Sequence, residues 1–390
     1  MGGHTAPRSC AAVILKMEIE FVATCLFGLE HFLGEEIDRL GYRRTETIDG
    51  RVSFIGDEYA VARCNIWLRC AERLYIKMGS FRARTFGELF EGTKSVEWEK
   101  YIGREDAFPV KGHSIRSKLF SIPDCQSIVK KAVAQRLDNE YGMCWFPESR
   151  VKYQIEFFIL RDEATLMIDT SGVALHKRGY RAAAGAAPLR ETLAAALVLN
   201  SRPRENVLLW DPFCGSGTIT IEAAMIMKNQ APGLFRRFAA EDFEAFPPEI
   251  WTQARNEART AIRPTAFEAY ASDIDEEMVA LTAENAERAG VSEIVKPFAA
   301  DARVIRTGGR RGTVVCNPPY GERLGSTEEA EALYVQIGRH FRSLAPWQIY
   351  VLTSCERFER LYGRRADKVR KLYNGMIPCY LYQYFKFDRV

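Results

Sequence analysis

Residues 208–224 read LLWDPFCGSGTITIEAA, an apolar strand that delivers Asp211, turns through Cys214-Gly215-Ser216-Gly217 and enters an apolar helix. Glycines let a backbone approach a ligand that a Cβ would hold off. The helix start offers N–H groups with no partner inside the helix. The stretch is not a Walker A loop, because no Gly-Lys-Ser/Thr follows, and the third glycine of G-x-G-x-x-G is replaced by Thr220. What remains is the form suited to a nucleoside ligand without a pyrophosphate. A lone G-x-G is a weak signal, so the reading depends on what surrounds it.

Outward from that turn, strands and helices alternate from Val207 onward: NVLLWDPF, TITIEAAMIMKN, FEAYASDID, EEMVALTAENAERAG, IVKPFAADA, GTVVCNPPY, EALYVQIGRHF and WQIYVLTS. This rhythm predicts an α/β fold, a doubly wound, mostly parallel sheet. Asn374-Gly375 between two β-rich arms predicts a closing antiparallel hairpin. The second strand ends in Asp273 and Asp275, the third in Asp301 and the fourth in Asn317-Pro318-Pro319-Tyr320. Open α/β sheets bind ligands at the carboxyl ends of their strands. Each ending alone is strand punctuation; four in succession on one edge predict a shared pocket. There Asp273 is placed to hold ribose hydroxyls and Asp301 to accept from an adenine amino group. Prolines end the fourth strand because they cannot serve its ladder.

The N-terminal half is different. Met17–Phe54 reads strand, helix, strand, and the following segments to Gly172 mix strands and helices as α+β units do. Between Arg63 and Arg136 stand fifteen Lys and Arg against eight Asp and Glu, in a chain whose net charge is only +3. A domain-sized basic block suggests a polyanion, although charge runs are as often solvated faces. The ten cysteines form no C-x-x-C pair and several sit in apolar runs, which predicts reduced, buried thiols in a cytoplasmic protein. The five histidines lack metal-site spacing, so no metal is expected. No run of about eighteen apolar residues exists, and no membrane partner is expected. Residues 1–16 read as a loose tail before a functional start at Met17.

The motifs LHKRGYRAAAGAAPLRETLAAALV, DPFCGSGTITIEAAMI, APGLFRRF, ASDID and NPPYGERLG resemble those of the large-subunit ribosomal RNA guanine 2-amino methyltransferases. The resemblance covers nearly the whole chain from Met17. It implies a ferredoxin-like unit over 17–58, a THUMP RNA-binding domain over 60–170 and a Rossmann-like class I methyltransferase domain over 179–390. It also implies S-adenosylmethionine as cofactor. The donor pocket then comprises Thr192, Asp211, Gly215, Gly217, Thr218, Asp273, Ile274, Asp301 and Ala302, with Asp211 ordering the glycine turn; Pro188, Arg190 and Glu191 belong to the segment that lines it. In the catalytic loop, Asn317 and Pro318 accept the two N–H bonds of an exocyclic amine, Pro319 stiffens the backbone and Tyr320 offers a stacking face. Lys111, Arg116, Lys118, Lys130 and Lys131 are the expected RNA contacts, and a monomer is expected. The implied activity is methylation of a guanine 2-amino group in 23S rRNA. A tRNA guanine methyltransferase, a DNA adenine methyltransferase and a non-catalytic RNA-binding assembly factor are the alternatives. The insert from about 230 to 265 is open to two readings, an RNA contact through LFRRF or a helical flap over the pocket.

Overall fold

The computed structural model describes residues 18–181, 189–319 and 327–387. A first seven-stranded sheet contains β1 (Ile19–Thr24), β2 (Arg43–Ile48), β3 (Arg51–Gly56), β4 (Arg73–Arg82), β5 (Val110–Ile115), β6 (Ile155–Leu160) and β7 (Glu163–Asp169), in the order β2-β3-β1-β4-β7-β6-β5. Only β5 and β6 pair in parallel. Helices α1 (Glu30–Arg39), α2 (Glu58–Trp67), α3 (Phe86–Lys94) and α4 (Ile122–Tyr141) belong to this half. The period of two along each strand separates its faces. Phe21, Ala23, Leu74, Ile76, Leu166 and Ile168 join the main core, whereas Val22, Tyr75 and Met167 form a small cluster of their own. β4 pairs with β1 on one side and β7 on the other, so one sheet runs through both N-terminal units.

A second seven-stranded sheet contains β8 (Leu208–Asp211), β9 (Ala269–Asp273), β10 (Val295–Ala299), β11 (Gly312–Cys316), β12 (Gln348–Thr353), β13 (Lys368–Asn374) and β14 (Ile377–Tyr384), in the order β10-β9-β8-β11-β12-β14-β13. The strands from β10 to β12 are parallel, and β14 is antiparallel to both neighbours. Asn374 pairs with Ile377, so the hairpin turns on Gly375 and Met376, one residue beyond the expected pair, with Gly375 at φ +65°. Helices α5 (Glu191–Ser201), α6 (Thr218–Met227), α7 (Pro248–Thr260), α8 (Glu276–Arg288), α9 (Thr327–Arg342) and α10 (Phe358–Tyr362) complete the fold. α5 and α6 are buried around nearly their whole circumference, which accounts for their lack of a polar stripe.

Charged groups join the halves. Glu222 of α6 is fully buried and accepts from Arg69 Nη1 at 3.0 Å and Arg178 Nε at 3.3 Å. Glu222 offsets one of the two buried guanidinium charges, and Gln230 O and Leu175 O, each at 2.6 Å, accept further N–H groups of Arg69 and Arg178. In the 230–265 insert α7 lies against α2, with Arg63 forked onto Glu257. Gly233 N donates to Ile66 O at 2.9 Å, and Phe243 stacks on Tyr153 at 4.2 Å between ring centroids. The insert therefore grips the N-terminal half. No described helix is long and apolar enough to cross a membrane.

Candidate active site

The strand order reverses beside β8, where β9 and β11 flank it, and ligands of open α/β sheets bind at such switch points. Asp211 ends β8 with its carboxylate buried, accepting from Phe213 N at 3.1 Å and so bending the chain into the glycine turn. Burial pushes its pKa up to about 8, and the nearby Asp273 carboxylate adds to the shift. Gly215 N donates to Asp273 Oδ2 at 2.9 Å, while Asp275 N reaches Oδ1 at 3.2 Å. From α8, Thr282 Oγ1 donates to Gly215 O at 2.8 Å and Asn285 Nδ2 to Ser216 O at 3.0 Å. Gly217 has φ +80°, and a Cβ there would lie 2.6 Å from Thr282 Cγ2. Gly215, at φ +50°, has open space where its Cβ would be. The turn is thus packed on one side and free on the other.

Ile274 follows Asp273 and is 72 % exposed, an apolar surface beside a carboxylate. At the next strand end Arg303 forks onto Asp301, and that hydrogen bonding holds the carboxyl below its usual range. Ala302 is buried beside it. Thr218 Oγ1 accepts from Arg181 Nη2 at 2.7 Å. Thr192 is buried and donates to Glu72 Oε1 at 2.6 Å, so its hydroxyl is engaged with the N-terminal half rather than with the glycine turn. Glu72 also receives Arg190 Nη1 and His176 Nδ1, each at 2.8 Å. Burial opposes its charge, but these partners hold its carboxyl below the usual range.

β11 ends at Cys316 and passes directly into Asn317-Pro318-Pro319. Asn317 Oδ1 is buried without a hydrogen-bond partner among the described residues. Pro318 is buried, and Pro319 O accepts from Tyr334 Oη at 3.0 Å. Tyr334 is itself 3.0 Å from Thr353 Oγ1, so α9 and β12 brace the loop. Tyr320 and Pro188 lie outside the described residues. Thr282, Asn285 and Tyr334 escaped the sequence reading. The first two carry a signal in hindsight, being polar positions on the stripe of α8 that becomes buried.

The five expected RNA contacts do not share one surface. Lys111 sits on β5 and lines a groove of about 720 Å³ with Arg73, Arg150 and Lys152. Arg116 and Lys118 are exposed in the loop at the other end of β5. Lys130 caps the Phe108 ring at 3.6 Å and pairs with Glu148 at 2.5 Å, which gives it a structural task. Lys131 is exposed on α4.

A doubly wound parallel sheet, a glycine turn after β8, carboxylates ending the next strands and Asn-Pro-Pro ending β11 define a class I methyltransferase. Family models match as an RMKL-like methyltransferase domain over residues 178–383, an RlmL ferredoxin-like domain over 20–75 and a THUMP domain over 83–169. The chain belongs to the RMKL-like methyltransferase family. It is 44 % identical over 367 residues to "Putative RNA methyltransferase YpsC" of Bacillus subtilis, covering 93 % of this chain and 95 % of that one. It is 32 % identical over 366 residues to "Ribosomal RNA large subunit methyltransferase K/L" of Psychromonas ingrahamii, covering 92 % of this chain. It spans 49 % of that relative, about half its length. A solved structure described as "SMU.472, a putative methyltransferase complexed with SAH" superposes with a TM-score of 0.89 at 39 % identity, covering 96 % of this chain and all of that one. The residues fit the cofactor of that chemistry. The open side of Gly215, the Asp273 carboxylate and exposed Ile274 present a small-residue turn, a hydroxyl acceptor and an apolar face together. S-adenosylmethionine is the cofactor this site is built for.

Proposed function

We propose that the protein transfers a methyl group from S-adenosylmethionine to the exocyclic 2-amino group of a guanine in 23S rRNA, acting as a monomer in the cytoplasm. The observation that carries this reading is the buried Oδ1 of Asn317, which has no hydrogen-bond partner among the described residues. An acceptor left unsatisfied in a protein interior costs about 1–3 kcal/mol, so such a group is retained where a donor arrives. An exocyclic amine is that donor. Its lone pair is delocalised into the ring, which makes it a poor nucleophile. Asn317 Oδ1 and the Pro318 carbonyl would each accept one N–H, drawing the nitrogen toward tetrahedral geometry and freeing the lone pair. The two prolines and the Tyr334 brace reduce the ordering needed at reaction. The cofactor supplies an electrophilic methyl whose bond to sulfur breaks as the N–C bond forms. The nitrogen then releases a proton to water. Asp273 and Asp301 would hold the donor's ribose and adenine, with Gly215, Gly217, Thr218, Ile274 and Ala302 around them. Tyr320 would stack the base. The choice of guanine in large-subunit RNA is supported by the five motifs and by the K/L relatives. Buried thiols such as Cys64, Cys316 and Cys379 suit a reducing compartment.

The test incubates the full chain with radiolabelled S-adenosylmethionine and, separately, total tRNA and protein-free large-subunit rRNA from a deletion strain, followed by digestion to nucleosides. Label in N2-methylguanosine from rRNA is expected. The same nucleoside from tRNA would move the substrate, and N6-methyladenosine would overturn the assignment of the amine. Asn317→Ala should lose about 2–4 kcal/mol of transition-state stabilisation, on the order of 30- to 1,000-fold in turnover, with cofactor binding retained. Undiminished turnover in that variant would overturn the mechanism.

A further inference from the structure

Glu72 stands immediately before β4, outside the methyltransferase domain matched over 178–383. Its backbone is held on both sides: its N–H donates to Thr24 O at 2.7 Å, and its carbonyl accepts from Leu175 N at 2.8 Å. Its side chain is only 14 % exposed, which limits screening by water, and it reaches across to α5. Oε1 accepts from Thr192 Oγ1 at 2.6 Å, and Oε2 meets Arg190 Nη1 and His176 Nδ1, each at 2.8 Å. Arg190 is the residue that opens α5, and Thr192 lies in its first turn. A carboxylate at a helix start is favoured by the positive end of the helix dipole as well as by a guanidinium. The first sheet thus fixes where α5 begins. The start of α5 bears in turn on the glycine turn. Arg181 Nη2 donates to Leu189 O, the carbonyl just before Arg190, and to Thr218 Oγ1 at 2.7 Å. Arg181 Nε lies 3.4 Å from Glu191 Oε1. Thr218 directly follows Gly217, and its Oγ1 is 3.3 Å from Ser216 Oγ. Polar contacts therefore lead from Glu72 through the first residues of α5 and Arg181 into the turn itself.

We propose that Glu72 is a positioning residue of the donor pocket: it sets the place of the first turn of α5 and, through Arg181, that of the glycine turn, so that affinity for S-adenosylmethionine depends on a carboxylate of the N-terminal half. The proposal rests on the placement of the donor at the glycine turn given above. Glu72 acts through other residues and not on the reacting atoms. Arg63–Glu257 offers the contrast, because it also joins the two halves but does so through α2 and α7, elements that this path does not include. If Glu72 served only to hold the halves together, the two contacts would be interchangeable in their effects. If Glu72 positions the turn, only its loss should reach the donor.

The experiment measures calorimetric affinity for S-adenosylmethionine and thermal unfolding on full-chain variants, without RNA. Glu72→Ala should weaken cofactor binding about 3- to 30-fold, the range of coupling that contact networks carry. Glu72→Gln keeps an acceptor for Thr192 but not the charge facing Arg190, and should weaken binding about threefold; it keeps the proposal open to test should the alanine variant not fold. Glu257→Gln should unfold at a lower temperature yet bind the cofactor as wild type does. In an Arg181→Gln background, Glu72→Ala should add less than about twofold, since effects that share one path are not additive. Asp273→Asn, at the donor site itself, should weaken binding and serves as the reference. Wild-type affinity in both Glu72 variants, with Asp273→Asn weakened, would overturn the proposal alone. So would an equal loss in Glu257→Gln, or a fully additive loss in the Arg181→Gln background. Undiminished binding in Asp273→Asn would instead remove the donor from the glycine turn and take the proposal with it.

Discussion

In the second sheet β8, β9, β10 and β11 run parallel, so residues as far apart in the chain as Asp211 and Asn317 arrive at one edge. In the first sheet only β5 and β6 run parallel, and each end of the sheet collects both strand starts and strand ends. The parallel arrangement concentrates a few side chains of fixed geometry, as a reaction requires. The mixed arrangement spreads cations over turns and loops, as contact with a long polyanion requires. The interface between the sheets is different again: its charges are buried, with two guanidinium groups sharing one carboxylate.

The largest effect is expected at that interface. Glu222→Ala leaves Arg69 and Arg178 buried without their acceptor and should destabilise the chain by about 3–5 kcal/mol in urea denaturation. A loss well below 1 kcal/mol would show that both arginines reach water and that other contacts, such as Arg63–Glu257 and Thr192–Glu72, hold the halves together. Next is Gly217→Ala, which combines a left-handed φ of +80° with the 2.6 Å approach to Thr282. It should cost about 1–3 kcal/mol in thermal unfolding and weaken S-adenosylmethionine binding. Wild-type values for both would remove the glycine turn from the cofactor site. The smallest effect over any one pH unit concerns Asp211. Its folded pKa, near 8, lies above the unfolded value of about 4, so the native state keeps a proton that the unfolded chain releases. Stability should fall by about 1.4 kcal/mol per pH unit as pH rises between those values. Asp211→Asn should remove that component, seen as urea midpoints that converge with wild type at low pH and diverge progressively from about pH 4 to about pH 8. Parallel curves would mean that Asp211 is ionised in the folded protein.

The parallel edge was legible in the sequence because each contribution is local. The bend at Asp211, the glycines at 215 and 217 and the prolines at 318 and 319 all act on their own backbone. The class of fold followed from the alternation around them. Partners chosen in three dimensions were not legible. Nothing near Thr192 in the chain announces Glu72, and nothing near Lys130 announces Glu148. The insert could not be placed because its apolar residues, such as Phe243, are satisfied by Tyr153 of the other half. The continuity of the first sheet was hidden for the same reason, since β4 serves two neighbours whose sequences are remote from it.

The Arg69–Glu222–Arg178 cluster bears on how such a chain can be inherited. A recombination joint placed just before residue 178 would leave Arg69 without its carboxylate in one product and Glu222 with Arg178 but without Arg69 in the other. Descent should therefore favour copying or fusing this body whole over shuffling its catalytic half onto other RNA-binding modules.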